Sequence, residues 1–252
     1  MSEFTDAKRK QQVRCENCPI RGNSNFRKFS RDEFDYVKKF KSGELTIESG
    51  ATVFLEGTDS AHLFTVLDGW AFRYKMLEDG RRQILNYALP GDLLGLQASI
   101  MGKLDHSVEA LTDIVLCVFQ RDRIWELYES HPGLAFDTTW LAAREERLLD
   151  ESLLSVGRRT AQERIAHMLL SLAERARRTG LARGNKIKFP ITQHHLADTL
   201  GLSLVHTNKT LRKLVKSGLI SWQPGELQIK SARELSEIAD FEVTKQPPRP
   251  FI

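Results

Sequence analysis

The chain changes its hydrophobic rhythm once, sharply. Between Gly43 and Gln120 brief apolar runs, TVFLEG, HLFTVLDG, WAFRYKMLEDG, RQILNYALPGD and VEALTDIVLCVFQ, are broken by turn residues, with Gly43, Gly50, Gly57, Gly69, Gly80 and Gly91 among them. Turn signals every ~8–12 residues between strand-length runs predict an antiparallel β sandwich or roll. The last run reads as two strands joined at Thr112 and Asp113. Ahead of the strands, Phe34, Val37 and Phe40 predict a short helix over Arg31 to Lys41 with Ser30 as its cap.

From Arg121 the period is helical. Arg123 to Ser130 predicts a short helix before His131-Pro132-Gly133, and Leu134 to Val156 a longer one. A long helix between two domains needs a partner for its apolar stripe, and a second copy of itself is the simplest one. Trp140, Leu141, Leu148, Leu149 and Leu153 are therefore the expected dimer seam. Gly157-Arg158-Arg159 is expected to act as a hinge into RTAQERIAHMLLSLAERARRTG, an amphipathic helix that stops at Gly180.

The stretch ITQHHLADTLGLSLVHTNKTLRKLVKSGLI holds two short amphipathic runs separated by Gly-Leu-Ser. Thr192 can cap a helix from Gln193 to Leu200, Gly201 permits a tight turn, and Ser203 can cap a second helix from Leu204 to Ser217. Leu204, Leu211, Leu214 and Val215 are expected inside, leaving Val205, His206, Asn208, Lys209 and Arg212 outside. In a helix-turn-helix the first turns of the second helix enter the major groove. Lys209 and Arg212 suit guanine or phosphate, Asn208 adenine, and Val205 a thymine methyl. Ser203 and Thr207 suit phosphate contacts that set register, and Thr192, Gln193 and Lys213 complete the expected double-stranded DNA surface. LISWQPGELQIK, two short strands about a Gln-Pro-Gly-Glu turn, reads as the wing of a winged helix.

Charge sharpens this reading. The net charge is only +4, yet residues 157–230 hold 14 Lys and Arg against 4 Asp and Glu, while the rest holds 23 against 29. A basic module joined to an acidic one fits a half that meets phosphates and a half that does something else. A ligand-binding regulatory module with no DNA role is the alternative from another class; Lys209, Arg212, Lys213 and Lys216 on one helix disfavour it. No Gly-rich phosphate loop, nucleophile elbow or zinc-hydrolase pattern nominates an enzyme. The polar start, MSEFTDAKRKQQVR, and the lack of a membrane-length apolar run lead us to expect a cytoplasmic protein without a membrane partner.

The segments GRRQILNYALPGDLLGLQ and GLSLVHTNKTLRKLVKSGLI, with the long helix and the wing, resemble the Crp/Fnr family of bacterial transcription regulators, nearer the Fnr-like branch. The resemblance implies an α+β chain: an N-terminal antiparallel β-roll (a jelly roll of the cyclic-nucleotide-binding type), a long dimerisation helix and a C-terminal winged helix-turn-helix. It also implies a homodimer on palindromic promoter sites with RNA polymerase as a partner. We therefore divide the chain into an arm (1–30), the roll as effector domain (31–121), linker and dimerisation helix (122–156), DNA-binding domain (157–235) and a Pro-rich tail (236–252), expected to be disordered or loosely docked.

Members that bind cyclic AMP carry a Glu and an Arg where this chain has Leu96 and His106, so no tight cyclic-nucleotide binding is expected. Val205 and Asn208-Lys209 replace the family's usual Glu and Ser-Arg, which implies a different operator. The oxygen-sensing branch holds an iron–sulfur cluster on four cysteines; this chain offers Cys15, Cys18 and Cys117, with Ser24 and Phe26 in the region of a missing thiol. Three readings compete: structural or loosely redox-active thiols, a labile iron–sulfur or other metal site, and control by another effector in the roll or by abundance alone.

Overall fold

The structure, a computed structural model, describes residues 13–242 and 246–252. The first twelve residues of the expected arm and residues 243–245 of the expected tail lie outside that range.

Helix α1 (Arg31–Phe40) opens with a full capping box: Ser30 Oγ accepts from Glu33 N, and the Glu33 carboxylate accepts from Ser30 N. Eight strands follow: β1 (Lys41–Ile47), β2 (Thr52–Phe54), β3 (His62–Asp68), β4 (Ala71–Met76), β5 (Arg82–Ala88), β6 (Leu93–Leu94), β7 (Ser107–Ala110) and β8 (Ile114–Gln120). They form two four-stranded antiparallel sheets, β1-β8-β3-β6 and β2-β7-β4-β5. Between them pack Phe54, Phe64, Val66, Leu94, Val108, Ile114 and Leu116. Helix α2 (Leu96–Met101) sits between β6 and β7.

The second sheet is buried on both faces. In β4 and β5 the register slips, Arg73 facing Asn86 and Tyr74 facing Ile84, so Leu85 is a bulge. That extra residue lets Ile84 and Tyr87, three apart, join one outer cluster with Trp70, Phe72 and Tyr74. The cluster continues without a break into the C-terminal half.

Helices α3 (Ile124–Ser130) and α4 (Pro132–Arg158) lead to α5 (Ala161–Arg178). Gly157 stays helical; the chain breaks two residues later, where Arg159 is extended and Thr160 caps α5 with a second capping box through Glu163. The break falls within the expected hinge Gly157-Arg158-Arg159, at its last residue, because the cap at Thr160 decides where the new helix starts.

The hairpin β9 (Ala182–Arg183) and β10 (Lys186–Phe189), not anticipated from the sequence, extends the wing strands β11 (Ile220–Gln223) and β12 (Gly225–Ile229) to a sheet of order β11-β12-β10-β9. Helices α6 (Gln193–Leu200) and α7 (Leu204–Lys216) form the helix-turn-helix, and α8 (Ala232–Ala239) crosses the expected boundary before residue 236. The end of the tail, 249–252, is not loose. Arg249, Pro250, Phe251 and Ile252 are buried, Phe251 against Phe26 and Phe29, and Ile252 in the core of α1, β3 and α3. Among the described residues no helix is long and apolar enough to cross a membrane.

Candidate nucleic-acid interface

Each end of the helix-turn-helix is fixed by local chemistry. Thr192 Oγ1 accepts from His195 N at 3.3 Å, and Thr192 N donates to His195 Nδ1 at 3.1 Å. Burial, then the nearby Arg82 charge, lowers the His195 pKa, which keeps that nitrogen free to accept. Gly201 ends α6 at φ +63°, a left-handed turn that a side chain would strain. Ser203 Oγ then caps α7 by accepting from His206 N at 3.2 Å.

Thr192, Gln193, Ser203, Val205, His206, Lys209, Arg212 and Lys213 are all exposed, Val205 at 79%. Lys213 reaches Gln162 Oε1 at 2.8 Å. Two of the expected contacts differ. Thr207 is fully buried and its hydroxyl donates to Ser203 O at 3.0 Å, so it holds the turn and cannot meet a phosphate. Asn208 is half-buried, with Oδ1 buried and without a protein partner. Val215, expected inside, is exposed, because Leu211 and Leu214 already fill the contact with α5. The wing tip at Pro224-Gly225 stands beside the end of β10, where Phe189 meets Trp222 edge to face at 5.2 Å.

The opposite side of α6 is docked on the roll. Tyr87 Oη lies 2.9 Å from Thr199 Oγ1, Arg82 pairs with Asp198 at 2.9 Å, and Gln83 donates to Thr199 O at 2.9 Å. Leu141, assigned to a dimer seam, is buried within its own chain beside the roll. Trp140 and Leu148 are half-buried. Leu149, Leu153 and Val156 are exposed along one side of α4, Leu153 at 74%, with Phe136 and Leu154 also open.

A cavity of about 620 Å³ lies between the roll and α4, lined by Arg73, Asn86, Leu96, Met101, His106 and Glu145 among others. Its two cations are engaged: Arg73 pairs with Glu145, and Lys75 with Glu56 at 2.9 Å. Burial, then the Arg73 charge, drops the His106 pKa to about 4, so the imidazole is neutral near pH 7. Leu96 and His106 do line one cavity, as the resemblance required; Arg73, Asn86 and Glu145 were not anticipated.

Cys15 and Cys18 sit in and after a 3-10 turn, and Cys18 and Cys117 pack on Ile20, Phe26, Leu67 and Phe251. Burial pushes the Cys117 thiol up to about 12 and also raises Cys15. Among the described residues no three His, Cys, Asp or Glu side chains converge as metal ligands. A 4Fe–4S cluster takes four ligands, and Cys15, Cys18 and Cys117 supply three.

Residues 44–131 match the cyclic nucleotide-binding domain family and residues 163–238 the Crp-like helix-turn-helix domain. The chain is 30% identical over 228 residues to the nitrogen fixation regulation protein FixK of Bradyrhizobium diazoefficiens, spanning 89% of this chain and 93% of FixK. It is 28% identical to the transcriptional activator protein FnrL of Cereibacter sphaeroides, over 90% of this chain and 92% of FnrL. The solved structure of FixK2 from Bradyrhizobium japonicum superposes with a TM-score of 0.72 at 25% identity, covering 79% of this chain and 98% of that one.

Proposed function

The chain belongs to the Crp/Fnr family of transcription regulators, and from that premise we propose that it reads DNA through Gln193, Ser203, Val205, His206, Lys209 and Arg212. It is a DNA-binding regulator rather than an enzyme, and family members act as dimers. The observation that carries the assignment is the exposure of the N-terminal face of α7, capped by Ser203 and turned away from the half of α6 that the roll covers.

Thr192 and Lys213 flank this face and serve phosphates. Leu149, Leu153 and Val156 form the dimer seam, with Trp140 and Leu148 at its edge. Two-fold symmetry then gives a palindromic site with half-sites about one helical turn, ~34 Å, apart. RNA polymerase is the protein partner we assign, on the likeness to FnrL, described as a transcriptional activator, and the cytoplasm is the compartment.

The cavity between roll and α4 is the effector site in this reading, and it takes a ligand other than a cyclic nucleotide. A nucleotide phosphate would find Arg73 and Lys75 already paired and a neutral His106. The cysteines are structural.

The test is to select duplexes from a random pool with the full chain and measure Arg212→Ala and Lys209→Ala on the winner. Loss of ~1–3 kcal/mol with relaxed sequence preference identifies base readers; a uniform loss with a shallower salt dependence identifies phosphate contacts. Unchanged binding by both variants removes this face from the interface.

A further inference from the structure

The segment 246–252 is tied to three parts of the molecule at once. Arg178, the last residue of α5, donates to Gln246 Oε1 and to Pro247 O, each at 2.7 Å. The Arg249 main chain accepts from Arg27 N at 2.8 Å and donates to Asn25 O at 2.9 Å, a short parallel bridge to the N-terminal arm. The Arg249 guanidinium passes over Phe26 and donates to Asp92 Oδ1 at 2.8 Å and Pro90 O at 2.7 Å in the roll. Gly91 makes room: a Cβ there would run into the Phe26 ring and Arg249 Nη2.

Asp92 is 1% exposed and holds more than the tail. Arg144 of α4 and Arg175 of α5 each reach it at 3.0 Å. Burial by itself would raise this carboxyl; Arg144, Arg249 and Arg175 together hold it well below the usual carboxylate range. One carboxylate therefore joins the roll, α4, α5 and segment 246–252. Further along, His167 of α5 faces Glu151 of α4 at 3.5 Å, so α5 folds back beside α4 and carries the winged helix with it.

We infer that Asp92 and Arg249 are positioning residues for DNA binding, and that segment 246–252 is a brace that, beside the contacts of α6 with β5, fixes the winged helix on the roll. This rests on the dimeric DNA-binding reading above. In a dimer, a small rotation at this junction moves the two recognition helices apart or together and spoils their match to half-site spacing. In this proposal the braced arrangement, which leaves Val205, His206, Lys209 and Arg212 open, is the DNA-competent one. An unbraced chain spends part of its time in other orientations, and its affinity falls by the competent fraction.

Arg249→Ala tests this in the full chain, because Asp92 keeps Arg144 and Arg175 and is not left unpaired. Arg178→Ala is the second variant: it cuts the brace from the winged helix at the surface and spares the roll core. The probe is a labelled duplex selected by the wild-type protein from a random pool, titrated across salt concentrations, with thermal unfolding recorded in parallel. The expected result is affinity lowered at least about fivefold by both variants, an unchanged salt slope, and a folded dimer throughout. A shallower slope would mean that the arginines touch phosphate. Tighter binding would mean that the segment restrains the reader, and unchanged affinity that it only packs; any of the three overturns the proposal. A wild-type chain that selects no duplex would instead count against the DNA-binding assignment itself.

Discussion

The hydroxyls of Tyr87 and Thr199 lie 2.9 Å apart and join the fifth strand of the roll to the first helix of the DNA reader. The Thr199 proton is committed to His195 O at 2.6 Å, so Tyr87 is the donor. Burial raises the Tyr87 pKa further, which keeps that proton in place. Tyr87→Phe removes one neutral hydrogen bond without opening a cavity. We expect a loss of about 1 kcal/mol in denaturant unfolding, and faster amide exchange in α6 than in β8.

Asp92→Asn should be far more costly than Tyr87→Phe. It leaves Arg144, Arg175 and Arg249 buried together with no carboxylate at their centre, and a broken buried ion pair costs on the order of 3–5 kcal/mol. Urea unfolding of the variant against wild type measures it. A loss below about 1 kcal/mol would show that water reaches the cluster.

Acid should weaken the fold through His106. Its folded pKa of about 4 lies below the ordinary value of 6.5, so the unfolded chain binds the proton more readily. Stability is therefore full above pH 6.5 and falls as pH drops toward 4, by on the order of 2 kcal/mol for this one group, allowing for its partial exposure. His167 and His195 shift in the same direction, so the reading is taken as the difference from His106→Gln. The variant should flatten the profile over that window.

Leu153→Glu should split the dimer. Leu153 is 74% exposed on α4, so the substitution leaves the protomer's own core untouched but sets two charges against each other across a two-fold seam. Sedimentation should show monomer at concentrations where wild type is dimeric, with DNA affinity lost alongside. Leu141→Glu makes the contrast: Leu141 is buried beside the roll, and its replacement should lower thermal stability first.

The sequence by itself determined whatever rests on contacts within a few residues. Strand-length runs between glycines, Ser30, Thr192 and Ser203 at helix starts, and the left-handed Gly201 act locally, so the roll, the long helix, the reader and its wing could all be placed. Most of the α7 face followed from its 3.6-residue period. Thr207 escaped because a helical hydroxyl can turn back to a carbonyl one turn earlier, which periodicity does not register.

What only the tertiary structure decided rests on pairs far apart in the chain. Asp92 meets partners 52, 83 and 157 residues away, and nothing in LPGD or in the Pro-rich end announces them. Leu141 belongs to its own protomer because a roll lies beside that turn of α4, and α6 docks by Tyr87, Arg82 and Gln83 on a strand more than a hundred residues earlier. A buried charge needs a partner wherever the fold can supply one, and local pattern cannot say where that will be.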